Sequence, residues 1–372
     1  MAPIRVDRAT VLAYRALAHG LDRTATDPLA LGVLDIGVQE TRGSAQQALA
    51  ARLSIPVPDP TEANGPLVLL WAARGAPHVH RRTDLAALAA VLWPHTDADA
   101  MTRLSSERAA LKAAGIGGLA AYTAAATAVR EVVTEPLPKG TVSAAVTKKL
   151  PAAYAYTCRS CATDHVYGNI FQLVGSAAGV YHHTPTPKLT LAPLPDRPPI
   201  PTEPEGTQDF LRAYLRLHGP ATLAEAAGYL GTAQQHARPL WPDGLAEIEV
   251  DGKTCWLPED QVPVLRKATA PEYVRLLPPL DPYLQARDRD LIVPDPARQR
   301  EVWRILGNPG AVYVNGELVG VWRAKTAGKT LNVAVDPLAK LSTKDKKALE
   351  SEAHHLAATR ALPNATVTIN AQ

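Results

Sequence analysis

Phe210-Leu211-Arg212-Ala213-Tyr214-Leu215-Arg216-Leu217, then His218-Gly219-Pro220-Ala221-Thr222, then Leu223-Ala224-Glu225-Ala226-Ala227-Gly228-Tyr229-Leu230 before Gly231, is the stretch that decides the fold. The first run carries apolar residues at helical spacing, the Gly-Pro turn interrupts it, and Gly231 stops the second, shorter run. Helix, glycine-containing turn, short helix is the opening of a helix-turn-helix. Downstream, Glu247-Ile248-Glu249-Val250 and Lys253-Thr254-Cys255-Trp256-Leu257 flank Asp251-Gly252. Asp-Gly between two alternating runs predicts a tight hairpin. A helix-turn-helix followed by a hairpin is a winged helix.

Working outward toward the N-terminus, the chain reads mostly as helix. Residues 10–18 have one apolar face. Asp27-Pro28 predicts a second helix running to about Gly37, with Asp27 as cap and Pro28 in the first turn. A third is expected over 45–52 with Ser44 as N-cap, ended by Pro56-Val57-Pro58-Asp59-Pro60. Leu67-Val68-Leu69-Leu70-Trp71 reads as a buried strand, and Thr83-Asp84-Leu85 starts another helix. Residues 141–150 resemble the second helix of the winged unit, and Lys139-Gly140-Thr141 parallels Gly219-Pro220-Ala221-Thr222, which suggests an internal repeat. Residues 193–204, rich in proline, read as a linker. Toward the C-terminus the period changes. Val312-Tyr313-Val314, Asn315-Gly316 and Glu317 to Trp322 predict a second hairpin, residues 331–335 a third strand, 344–361 a helix and 365–369 a last strand. This punctuation divides the chain into 1–135, 136–200, 201–270 and a β-rich 271–372.

The chain has 372 residues, enough for two or three domains. At 46% hydrophobic and 20% charged it can bury real cores. A net charge of +3 excludes a histone-like binder but leaves room for a local basic face. Three cysteines cannot build a disulfide framework, which points to a reducing, cytoplasmic setting. No apolar run reaches the ~18 residues of a membrane span, and residues 1–7 lack the pattern of a signal peptide. No Walker loop, dinucleotide fingerprint or Gly-x-Ser-x-Gly elbow is present.

Several residues carry chemistry on their own account. Arg74-Gly75-Ala76-Pro77-His78-Val79-His80-Arg81-Arg82 is a basic run in which His78 and His80 share one face if extended. Phosphate contact is the functional reading; a basic turn with a buried histidine is the plain one, and a metal pair would lack an obvious third ligand. Cys158-Arg159-Ser160-Cys161 with His165 has zinc-ligand spacing, with Cys255, His182 or His183 as a fourth, although a pair of reduced thiols fits as well. No metal or cofactor is therefore expected. Arg287-Asp288-Arg289-Asp290 reads either as a solvated face or as phosphate contacts through Arg287 and Arg289. Arg323, Lys325 and the wing's Lys253 stand on turns where phosphates could be reached.

The chain resembles the AlkZ-like family of winged-helix DNA glycosylases. The match runs in order through residues 34–41 with 48–53, 71–80, 211–222, and 275–283 with 314–323. The resemblance implies an α+β fold of tandem winged helices in a C-shaped arrangement, with a C-terminal β-barrel-like module and a cleft for duplex DNA. It implies hydrolysis of the N-glycosidic bond of alkylated or bulky N7-purine adducts, without cofactor, by a monomer. Some members protect producers of DNA-damaging natural products. The family's catalytic Gln-x-Gln or Gln-x-Asp falls on Gln39-Glu40-Thr41: the first glutamine matches and Thr41 departs. Gln39 is thus expected to position the water, with Thr41 as second contact, Glu40 or Asp35 as carboxylate, and Arg42 beside them on DNA. The rival reading is a non-catalytic DNA-binding protein or regulator on the same scaffold. A protein-interaction module comes third.

Overall fold

The computed structural model describes residues 4–371 apart from 60, 61, 63, 161, 184–187 and 305. It is a mixed α+β fold. Each element of the deciding stretch forms. Helix Thr207–His218 is followed by helix Leu223–Leu230, which is closed by a capping box between Thr222 and Glu225. Gly231 ends it at φ 85°, a left-handed position open to glycine. Strands Leu245–Val250 and Lys253–Pro258 form the hairpin, with Asp251 and Gly252 at φ 47° and 83°. Strand Ile4–Val6 adds to this hairpin in parallel, and helix Arg8–Ala18 buries Val11 and Tyr14 against Ile248, Val250 and Leu257. The first residues of the chain thus complete a sheet built from residues far downstream.

A second three-stranded sheet orders Val38–Gln39, Pro77–Arg81 and Leu67–Trp71. It shares one core with the deciding helices: Phe210, Leu211, Tyr214, Leu215 and Tyr229 meet Leu34, Ile36, Val38, Leu49 and Val79. A third sheet, Leu137–Pro138, Thr190–Pro193 and Val180–His183, has helix Lys139–Lys149 between its first strand and the other two in the chain. The C-terminal sheet runs Val274–Leu277, Gly310–Val314, Glu317–Ala327, Thr330–Pro337, Asn364–Ile369. Its hairpin turn puts Asn315 and Gly316 at φ 51° and 99°. The module is a half-barrel: the first and last strands are not paired, and helix Thr343–Ala358 packs Leu349, Ala353 and Leu356 against Val274, Leu276, Leu331 and Val333. Among the described residues no helix is long and apolar enough to cross a membrane.

Two local expectations are corrected. The helix predicted from Asp27 to Gly37 is only two short turns, Pro28–Ala30 and Gly32–Asp35. Asp27 does cap, accepting from Leu29 N at 2.8 Å, but Leu31 is extended, and the Leu29 and Leu31 carbonyls accept from the Arg81 guanidinium instead of continuing a helix. Ser44 is not the N-cap of its helix. The helix is Ser44–Ala50, Gly43 holds the cap position at φ 86°, and the Ser44 hydroxyl accepts from Thr41 N at 2.9 Å.

Two buried ion pairs join the halves of the chain. Arg52 donates twice to Asp281, at 2.8 and 2.9 Å, with both side chains fully buried. Arg15 binds Asp288 in the same forked manner and also donates to Gly219 O at 3.2 Å. Removing one partner of such a pair strands a buried charge, at a cost of about 3–5 kcal/mol, whereas replacing both by apolar groups is far milder. Urea unfolding should therefore show Arg52→Met and Asp281→Asn each strongly destabilised, and Arg52→Met/Asp281→Leu restored toward the parent.

Candidate active site and nucleic-acid interface

Val38 is fully buried, so in strand Val38–Gln39 the next side chain faces the other way. Gln39 lies opposite His78 in the ladder, and its side-chain oxygen accepts from Arg74 Nη2 at 3.3 Å. Arg74 stands at φ 60°, donates from Nη1 to Tyr229 O at 2.6 Å, and places its guanidinium 4.5 Å from the Tyr229 ring centroid. Arg74 therefore ties the Gln39 amide to helix Leu223–Leu230. The amide oxygen retains a second lone pair, polarised by a cation, for a further donor such as water. Arg287 lies in the same neighbourhood: burial first, then Arg74, lower its pKa, and its Nε meets no acceptor among the described residues.

The two carboxylates considered beside Gln39 are occupied elsewhere. Glu40 accepts from Gly43 N and from Ala45 N, the latter at 2.9 Å, so it caps helix Ser44–Ala50. An acidic group suits the positive end of that helix. Asp35 pairs with Arg81 at 2.7 Å and with Arg216. In this arrangement neither is free to serve as a base.

The basic run is mostly interior. His78 and His80 are buried, with ring centroids 6.2 Å apart, and His78 Nδ1 lies 2.9 Å from Ala76 O. Buried rings are out of reach of phosphates, so the expected DNA contact of these two histidines is not supported. Arg81 is engaged by Asp35, Asp84 and two carbonyls, and Arg82 Nε donates to Gly65 O at 2.7 Å. The alternating run 287–290 is not a plain solvated face either: Asp288 is inside the Arg15 pair and Arg289 lies over the Trp303 ring at 5.0 Å. Lys253 is exposed but paired with Glu225 at 2.7 Å. Among the described residues no three His, Cys, Asp or Glu side chains group to hold a metal ion. Cys161 lies outside the described residues, Cys255 is in the core with Val11 and Leu257, and His182 packs against Trp71 at 5.0 Å.

Folding assembles an open cleft that the sequence order hides. Thr41, Arg42, Ser44 and Gln47 form one wall, with Arg323, Lys325 and Arg360 on the other. Arg42, Arg323 and Lys325 are exposed, and no acidic side chain lines the cleft among the described residues. Ser44 connects it to Gln39, whose backbone carbonyl accepts from the Ser44 hydroxyl at 3.3 Å. Sequence reasoning missed Arg360 and Gln47. Arg360 follows the last helix in an unremarkable stretch, and Gln47 carries no motif; only their place on the cleft walls distinguishes them.

The family described as DNA glycosylase AlkZ-like matches residues 30–359. The chain belongs to the AlkZ-like DNA glycosylase family. The structure of Streptomyces sahachiroi DNA glycosylase AlkZ is similar to it, with a TM-score of 0.75 at 20% identity, covering 99% of this chain and 100% of that one. At that identity the likeness speaks for the fold. No curated protein sequence matches the chain.

The site of this AlkZ-like protein carries a pH prediction. Burial lowers the pKa of His80, on the Gln39 sheet, from 6.5 to about 4, and does the same for His182. The unfolded chain takes up these protons as pH falls through 6.5, the folded chain only near 4. Stability held above 6.5 is therefore lost as pH falls toward 4. Melting temperature should decline across that window, and His182→Phe, which keeps a ring against Trp71, should flatten part of the decline.

Proposed function

We propose that the protein is a monofunctional DNA glycosylase that hydrolyses the N-glycosidic bond of alkylated or bulky N7-purine adducts in duplex DNA. The observation that carries this reading is the Gln39 side-chain amide, held by Arg74 at 3.3 Å, on a residue whose backbone carbonyl accepts from Ser44 at the wall of a cleft lined by Arg42, Arg323, Lys325 and Arg360. A positively charged, acid-free wall suits the phosphate backbone. We read the helix-turn-helix and hairpin elements as tandem winged helices that bring the duplex to this cleft as a C-shaped clamp, in a monomer.

An N7-alkylated guanine is already cationic and leaves readily. The enzyme's task is then to place a water at C1′ and to tolerate an oxocarbenium-like centre. Gln39 can accept from that water, while Arg74 fixes the amide. Thr41 supplies a hydroxyl at the cleft wall. No lysine occurs between residues 34 and 53, so Schiff-base lyase chemistry is not expected from this segment.

A second reading, a DNA-binding protein without excision activity, draws on one observation: Glu40 caps a helix and Asp35 is ion-paired, so neither stands in for a second motif group beside Thr41.

The test is incubation with a duplex carrying one N7-methylguanine or one bulky N7-guanine adduct, followed by alkaline cleavage of abasic sites. Strand scission is expected, and Gln39→Ala should lower the single-turnover rate roughly 100-fold or more. Salt-dependent binding without scission on either substrate would favour the second reading. Arg42→Ala and Lys325→Ala should each reduce the slope of log affinity against log salt by about one.

A further inference from the structure

Arg287 is a cation that the fold holds without an acceptor. It is half-buried, and none of the described residues accepts a hydrogen bond or forms an ion pair with its guanidinium. Its Nε is closed off from solvent, so the two Nη nitrogens are the open end of the fork. Asp288, the next residue, is turned to Arg15. Other interior arginines are answered: Arg15, Arg52 and Arg103 each meet a carboxylate, at 2.6, 2.8 and 2.8 Å. Arg287 instead shares a corner with a second cation. A Cβ at Gly228 would stand 3.9 Å from Arg287 Cγ, and one at Gly231 3.1 Å from Arg74 Cγ, so both stems run along the end of helix Leu223–Leu230. Burial, and then the charge of Arg74, lower the Arg287 pKa. Arg74 has acceptors of its own in Tyr229 O and the Gln39 side-chain oxygen; Arg287 has none among the described residues. Two like charges, half withdrawn from water and side by side, call for an anion. The corner adjoins Gln39 through Arg74, and Arg287 is not part of the cleft lined by Arg42 and Arg323.

We infer that Arg287 is a substrate-binding residue: its Nη groups grip a phosphate of the damaged strand beside the modified purine, on the Arg74 side of Gln39. The inference rests on the glycosylase reading for the identity of the strand, but its readout is binding, so the two can fail separately. A guanidinium fork matches two phosphate oxygens. A neutral base oxygen would leave the repulsion between Arg74 and Arg287 in place, whereas a phosphodiester supplies the missing negative charge. That charge also bears on the reaction. The sugar turns positive as the C1′–N9 bond breaks, and two uncompensated cations nearby would oppose this. With a phosphate on Arg287 the corner is closer to neutral. Together with the cleft of Arg42 and Arg323, Arg287 gives the duplex two separate grips near Gln39, and phosphate grips are what fix register along a strand.

The test is a charge-deletion cycle on the full chain. Duplexes carry one N7-methylguanine, and each of the two phosphates on either side of it is replaced in turn by an uncharged methylphosphonate. The parent should lose about tenfold in affinity at one of these positions. Arg287→Met should bind the all-phosphate duplex about tenfold more weakly, with a slope of log affinity against log salt smaller by about one. Methylphosphonate at that same position should then cost the variant no more than about twofold. Its melting temperature should be unchanged or raised, because no ion pair is lost. Equal methylphosphonate penalties in Arg287→Met and the parent at every position would overturn the inference and leave the glycosylase reading standing. If Arg287→Met fails to fold, Arg287→Gln takes its place in the cycle, and equal penalties overturn the inference in the same way. A parent that binds these duplexes but excises neither N7-methylguanine nor the bulky adduct would remove the glycosylase reading, and the affinities in the cycle would still decide for or against Arg287.

Discussion

The Arg52–Asp281 pair ties the end of the helix that follows Gln39 to the segment just after the first strand of the C-terminal half-barrel. Both side chains are fully buried, and the fork of the guanidinium meets both carboxylate oxygens. Asp281 accepts further from Tyr283 N at 2.9 Å, and Arg52 donates to Ala48 O, so the pair also fixes the end of helix Ser44–Ala50. Burying two charges is costly and is offset only by such complete geometry. Arg15 and Asp288 repeat the device nearby and hold the turn at Gly219. Between the two pairs lie His19 and His218, 4.9 Å apart edge to face, kept neutral by burial and by surrounding positive charge. The arrangement sets where the Gln39 strand and the half-barrel stand relative to one another, and hence the width of the cleft between Arg42 and Arg323.

Charge is sorted by the same packing. Asp99, Asp281 and Asp288 face arginines inside the protein, and the half-buried Asp35 is paired with Arg81 and Arg216 away from this cleft. Acids are thereby withdrawn from the cleft walls, where arginine and lysine remain. A chain with a net charge of only +3 thus presents a surface of one sign. That surface can concentrate a polyanion without the bulk basicity of a nonspecific binder. It also leaves the candidate chemistry to a neutral amide. On the proposed reaction this is consistent, because a cationic leaving group needs less help than a neutral one, and an oriented water can suffice.

Much of the fold was legible because its signals are short-range. Asp251-Gly252 and Asn315-Gly316 adopt the positive φ angles that hairpin turns demand, and Gly231 ends its helix as a left-handed residue. The family resemblance drawn from a few ordered segments is borne out by the match over residues 30–359. Local misreadings had local causes. Ser44 looked like a cap, but the carboxylate of Glu40 holds the amides at Gly43 and Ala45 where the helix begins, and the Ser44 hydroxyl turns back to Thr41 N. The run after Asp27 looked helical, but its carbonyls bind a guanidinium from another strand.

The site was legible only in part. Gln39 could be picked out in order along the chain, and Arg42, Arg323 and Lys325 do reach one cleft. The burial of His78 and His80, the engagement of Arg81 and the inclusion of Gln47 and Arg360 could not be read from spacing. By itself the sequence determined periodicity and turns, which depend on residues a few positions apart, and the family, which depends on the order of short segments along the chain. The tertiary structure alone decided which arginine meets which carboxylate, and so which charges are left for the cleft. Charges attract at any sequence separation, and only the packed backbone selects the partner.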